Sequence, residues 1–110
     1  IVISAPTEGA VLRTDGDSAT LSGTVKGIQT GDYVLADVFT NQWYRQGGKI
    51  FPGAPDGAFT QTIHLGGGGR QQCFHIVRVR LFDPAGHFLA RAMNFDIARA
   101  NPDGTPPNCR

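Results

Sequence analysis

The chain has 110 residues, of which 40% are hydrophobic, so it is long enough and apolar enough to build one hydrophobic core. Its formal net charge of +1 provides no strong field for nucleic acid or for an anionic membrane surface. No apolar run approaches the roughly 20 residues that a membrane helix requires. We therefore expect neither a nucleic-acid partner nor membrane insertion. Gly and Pro are frequent, with 15 and 7 residues, which favours an all-β domain with many turns.

Short apolar runs with strand periodicity, separated by Gly and Pro clusters, predict about seven strands. The last run also has a helical stripe of Leu89, Ala92 and Met93, but the turn before it and the alternation after it favour a strand. Strand spacing of this kind is typical of an antiparallel β-sandwich. The predicted strands are Ile1–Ser4, Ala19–Lys26, Tyr33–Thr40, Trp43–Gln46, Phe59–Leu65, Cys73–Phe82 and Phe88–Ala98.

Alternation along each run predicts which side chains face the core, because successive residues of a strand point to opposite faces. Thr and Ser occupy the outward positions of the second run, and Thr and His those of the fifth. The predicted inward residues are Leu21, Gly23, Val25, Val34, Ala36, Val38, Phe59, Ile63, Leu65, His75, Val77, Val79 and Leu81.

The two cysteines, Cys73 and Cys109, are either one disulfide or two unrelated free thiols. We favour the disulfide, because it would tie down a Pro-rich tail that cannot form a helix or a central strand. It predicts an oxidising location, which is the periplasm, the cell surface or the extracellular medium. The predicted organisation is a sandwich over residues 1–98 followed by a tail over residues 99–110, in a mature secreted chain or a domain of a longer one.

Three local motifs occur in the order found in bacterial extracellular immunoglobulin-like domains. Ile3–Val11 resembles their opening Ile-x-x-Pro-x-x-Gly-x-x-Val, Leu21–Val25 resembles their second strand, and Leu81–His87 is similar to the Asp-x-Ala-Gly-Asn turn before their last strand. The resemblance implies an immunoglobulin-like sandwich. It also implies a secreted or surface module that acts as a spacer, an adhesive or a ligand-binding domain, without catalysis.

Catalytic and metal sites have weak support in the sequence. A cysteine-dependent enzyme would need Cys73 reduced and in contact with His75, which is predicted to share its face, but the disulfide competes for the same sulfur. Asp15 and Asp17 would need Asp83 or another carboxylate to hold calcium, so a solvated turn is favoured there. We therefore expect no enzyme, no metal and no cofactor.

The aromatic cluster around Trp43 is a candidate carbohydrate-binding site. Tyr33, Phe39, Trp43 and Tyr44 can present flat apolar rings to sugars, and Arg45 can donate hydrogen bonds to hydroxyl groups. The alternative is that Trp43 fills the sandwich core. Because Trp43 and Tyr44 are consecutive, only one of them can point inward in a regular strand.

A second candidate surface is the outer side of the sixth run. Phe74, Ile76, Arg78, Arg80 and Phe82 share this side, which is too apolar for a fully solvated sheet. Either the arginine stems and the tail cover it, or a partner docks on it. We expect a monomer whose partner is a polysaccharide or another domain of the same chain.

Overall fold

A computed structural model describes residues 1–12, 18–53, 56–65, 73–101 and 103–107. These residues form eight β-strands and no helix, so the predicted all-β class is confirmed. The strands in chain order are β1 (Val2–Ala5), β2 (Val11–Leu12), β3 (Ser18–Thr24), β4 (Tyr33–Phe39), β5 (Trp43–Arg45), β6 (Ala58–His64), β7 (His75–Phe82) and β8 (Phe88–Arg99).

The strands form two sheets that pack face to face as a β-sandwich. One sheet has the order β1-β3-β6 and the other has the order β2-β8-β7-β4-β5. Leu21 and Ile63 from the first sheet meet Val34 and Val79 from the second in one hydrophobic core, and all four side chains are fully buried. Every position that the alternation predicts to point inward is buried, so the predicted inner faces are confirmed.

Two details of the strand prediction are corrected. The two-residue strand β2 is too short to show a period, and it pairs parallel with β8, so the sandwich is not wholly antiparallel. Strand β7 begins at His75 and not at Cys73, and the preceding Phe74 has a φ of 61°, in the left-handed region. The helical alternative for the last run is wrong, because Phe88–Arg99 forms strand β8, which pairs antiparallel with β7 through a bulge at which Asp96 has a φ of 58°. The predicted boundary between the sandwich (residues 1–98) and the tail (residues 99–110) stays a prediction, and strand β8 ends one residue after it, at Arg99.

A compact turn joins β7 to β8. The backbone N–H of His87 donates a hydrogen bond to Asp83 Oδ1 at 2.8 Å, and His87 Nδ1 lies 3.0 Å from Asp83 Oδ2. The backbone hydrogen bond is the largest cause, and the contact with the imidazole a further one, of a pKa of Asp83 below its ordinary value. Both contacts favour the ionised carboxylate.

We expect this turn to contribute a pH-dependent stability term. The pKa of Asp83 is lower in the folded than in the unfolded state. Its contribution to the free energy of unfolding is therefore fully present above the pKa of the unfolded state, and it is lost as the pH falls through the pKa of the folded state. An NMR titration of the carboxyl carbon measures this pKa directly. In the Asp83→Asn variant, the free energy of unfolding should no longer fall with pH in the range where Asp83 titrates. An Asp83 pKa at or above that of an unstructured Asp peptide would contradict the prediction.

Candidate functional site

Both candidate sites prove to lie mainly on one surface, the side of the five-stranded sheet that points away from the core. Residues directly opposite each other on neighbouring strands share a face, so the strand register defines this surface, which we call the outer face. Its strand residues are Tyr33, Leu35, Asp37, Phe39, Trp43, Arg45, Ile76, Arg78, Arg80, Phe82, Phe88, Arg91 and Met93.

Asp37 lies at the centre of the outer face and is only 3% exposed. Its Oδ2 accepts hydrogen bonds from Arg78 Nε at 3.1 Å and Arg80 Nε at 2.9 Å, and its Oδ1 accepts a third from Arg80 Nη2 at 3.2 Å. The contact with Arg80 is therefore bidentate, the strong form of this ion pair. The two arginine side chains are 17% and 25% exposed. Cover of the whole face by arginine stems and the tail stays a prediction.

Trp43 lies at the β5 edge of the outer face. The guanidinium of Arg78 is 3.8 Å from the centre of its ring, and Phe39 contacts the same ring edge to face at 5.3 Å. Cation–π contacts of this kind are strongest on tryptophan. Trp43 is 37% exposed, so the alternative in which it fills the core is wrong.

A second aromatic group occupies the other end of the outer face. Tyr33 stacks on Phe82 with ring centres 5.4 Å apart and meets Phe51 edge to face at 6.3 Å. The ammonium group of Lys49 lies 4.5 Å from the centre of the Tyr33 ring. Phe51 is strongly exposed whereas Tyr33 is buried, so Phe51 is the ring available to a partner.

The outer face is cationic. Among the paired strand residues named above, Asp37 is the only carboxylate, and it is already bonded to two arginines. The face holds five of the ten Lys and Arg residues of the chain. These cations are Arg45, Lys49, Arg78, Arg80 and Arg91.

Two predicted site residues lie apart from this surface. Tyr44 is opposite Val38 in the register, on the reverse side of β5 from Trp43. Phe74 is exposed but precedes β7, so strand alternation does not place it on the outer face. Lys49, Phe51 and Arg91 also belong to this surface, but no run of alternating residues in the sequence connects them to it.

Tyr44 instead lines a cleft of about 620 Å³ at the edge of the sandwich, between β5 and β6. Gln46 bridges the two sheets there, because its Oε1 accepts a hydrogen bond from the backbone N–H of His64 at 2.7 Å. Its Nε2 donates to the carbonyl of Tyr44 at 3.2 Å. The side chains and backbone that line the cleft include Asn41, Tyr44, Arg45, Gln46, Gln61, Thr62, His64 and Leu65.

The other candidates for chemistry are described only in part. His75 is fully buried in the core and Cys73 is half-buried. Cys109, Asp15 and Asp17 lie outside the described residues, so the disulfide and the calcium site stay predictions. Among the residues that the structure does describe, no three His, Cys, Asp or Glu side chains are grouped to hold a metal ion. Within the same residues, no helix has the length and apolarity to cross a membrane.

Comparisons with known proteins add no assignment. Family models, curated proteins and solved structures were all searched, and none of them matches this chain.

Proposed function

We propose that this chain is an immunoglobulin-like domain. The orders β1-β3-β6 and β8-β7-β4-β5 correspond to strands A-B-E and G-F-C-C′ of that fold, in which the A, B and E strands form one sheet and the C, F and G strands the other. Antibody domains carry a tryptophan on strand C and cysteines on strands B and F. Here β3, β4 and β7 contain neither residue type, so the proposal rests on the strand order and on the three sequence motifs.

We infer that this domain is a non-enzymatic binding module of a secreted or cell-envelope protein, and that its outer face docks an acidic partner protein. The observation that carries the proposal is the concentration of cations on a sheet face that also exposes aromatic rings, with Asp37 already neutralised. Trp, Tyr and Arg are the residues that dominate protein interfaces. Charge complementarity then selects an acidic partner and speeds its association.

The geometry favours a protein over a small ligand on this surface. Arg78 is held between Asp37 and Trp43, and Arg80 is held by Asp37 in two hydrogen bonds. Side chains that are already ordered lose little conformational entropy when a partner binds. Phe51 packs on Tyr33 and Phe88 on Phe82. Both rings are more than half exposed, and they offer apolar contact area at the rim.

Two polypeptide probes test the proposal. A random copolymer of Glu and Tyr is expected to bind more tightly than poly-L-glutamate, because it adds aromatic contacts to the charge, and salt should weaken both complexes. Arg91→Glu is expected to lower the affinity about tenfold, since it reverses a charge on the outer face. Lys26→Glu is the matched control, because Lys26 is an exposed cation in the turn after β3. Fluorescence anisotropy with labelled probes measures each affinity.

Each contrary result has a defined meaning. Equal losses in Arg91→Glu and Lys26→Glu would show that net charge, and not the outer face, drives binding. If neither polypeptide binds, the domain is a spacer. Tighter binding of polygalacturonate or duplex DNA than of the copolymer would assign the face to another class of polyanion. Phe51→Ser should abolish the preference for the copolymer, and an unchanged preference would remove the aromatic part of the proposal.

A further inference from the structure

We propose that the cleft between β5 and β6 binds a neutral sugar unit of an oligosaccharide, independently of the outer face. A volume of about 620 Å³ lies within the range of small-ligand sites, roughly 300–1,000 Å³. The cleft is concave, whereas the outer face is an open sheet surface. The two surfaces therefore suit different classes of ligand.

The cleft is built on a fixed polar frame. Gln46 is 7% exposed, and its amide joins the backbone of Tyr44 to that of His64 across the gap between the sheets. The backbone N–H of Gln46 also donates to the carbonyl of Ala36 at 2.8 Å. A side chain held in this way keeps its position before a ligand arrives, which lowers the entropic cost of binding.

Hydrogen-bonding groups remain available on this frame. The Oδ1 of Asn41 accepts from the hydroxyls of Thr40 and Tyr44 at 3.1 and 3.0 Å, which leaves the Nδ2 hydrogens of Asn41 without a partner among the described residues. The amide of Gln46 uses one of its two N–H groups on the Tyr44 carbonyl. Gln61 Nε2 donates to the carbonyl of Thr62 at 2.9 Å, so the Oε1 of Gln61 is an available acceptor. Amide donors and acceptors of this kind match the hydroxyl groups of a sugar.

The remaining lining explains the choice of a neutral sugar. The ring of Tyr44 is about two-fifths exposed, and it offers a flat apolar surface against which the C–H groups of a pyranose can pack. Leu65 adds a buried apolar wall. No Asp or Glu lines the cleft. Arg45 and His64 do line it, but the register places the Arg45 side chain opposite Asp37 on the outer face. The amides and hydroxyls of the frame are uncharged and give no strong selection for an ionic ligand.

Neighbouring residues on opposite sides of β5 provide a matched test. We expect at least one of cellotetraose, chitotetraose and mannotetraose to bind to the intact domain, as measured by calorimetry. Tyr44→Ala should lower that affinity about tenfold or more, because it removes the aromatic surface. Trp43→Ala should leave it unchanged, because Trp43 lies on the outer face. Amide NMR shifts on titration should cluster at Gln46 and Thr62.

The opposite pattern would overturn the proposal. If Trp43→Ala abolishes binding and Tyr44→Ala does not, the sugar lies on the outer face. If tetragalacturonate binds and the neutral tetrasaccharides do not, the ligand class is wrong. If none of the probes binds at millimolar concentration, the cleft is not a sugar site. Binding of the Glu–Tyr copolymer to the Tyr44→Ala variant reports the outer face separately, so the failure of one proposal is distinguishable from failure of the other.

Discussion

Replacing Asp37 by Ala is expected to lower the free energy of unfolding by about 3 kcal/mol, the lower end of the range for breaking a buried ion pair. The change leaves Arg78 and Arg80 over a buried sheet surface without the carboxylate that accepts their three hydrogen bonds. The lower end applies because the two arginines are 17% and 25% exposed, so water partly replaces the lost contacts. Urea denaturation followed by tryptophan fluorescence measures the effect.

A double-mutant cycle separates this ion pair from the packing beneath it. Arg78→Ala in the Asp37→Ala background is expected to cost much less than Arg78→Ala in the parent chain, because the carboxylate partner is already absent. Asp37→Asn keeps the side-chain size, and it should be less destabilising than Asp37→Ala. A loss below about 1 kcal/mol for Asp37→Ala would place this pair with ordinary surface salt bridges and would remove the preordered arginines from the binding proposal.

The inner faces of the sandwich could be predicted from the sequence because burial on one side of a strand leaves a period of two. In β7, His75 and Val77 are buried while Ile76 and Arg78 are only partly so. In β4 the same rule selected Val34, Ala36 and Val38 as the core side. It could not show that Tyr33 and Leu35 on the other side are also buried, because their cover comes from other strands and from distant loops.

The candidate site depended on register, which a single run of sequence does not contain. Arg78 and Arg80 are 41 and 43 residues away from Asp37 in the chain, and only the pairing of β4 with β7 brings them together. The register of β5 on β4 places Trp43 on the outer face and Tyr44 on the side of the cleft. Alternation alone shows that the two side chains point to opposite sides, but not which of them points outward. Strand β2 could not be predicted from the sequence, because its two residues are too few to show a period.

Glycine substitutions are expected to show how closely β3 and the turn before β6 approach each other. Gly57 has a φ of 67°, and a Cβ atom there would overlap the carbonyl oxygen of Val25, whose backbone N–H donates to the Gly57 carbonyl at 2.9 Å. Gly57→Ala therefore combines left-handed backbone strain with a clash between two backbones. We expect a loss of about 4 kcal/mol, with roughly 1 kcal/mol from the strain and the rest from the displaced strand.

Gly27 supplies the matched control for this substitution. Its φ is 69°, nearly the same as that of Gly57, but a Cβ atom there would have no neighbour within 4 Å. Gly27→Ala should therefore cost only the strain of about 1 kcal/mol. Thermal unfolding compares the Tm values of the two variants. In a domain of this size, each kcal/mol of lost stability lowers Tm by roughly 4–8 °C. Equal losses would mean that the turn at Gly57 can move away from Val25 without disturbing the core, because backbone strain alone would then account for both.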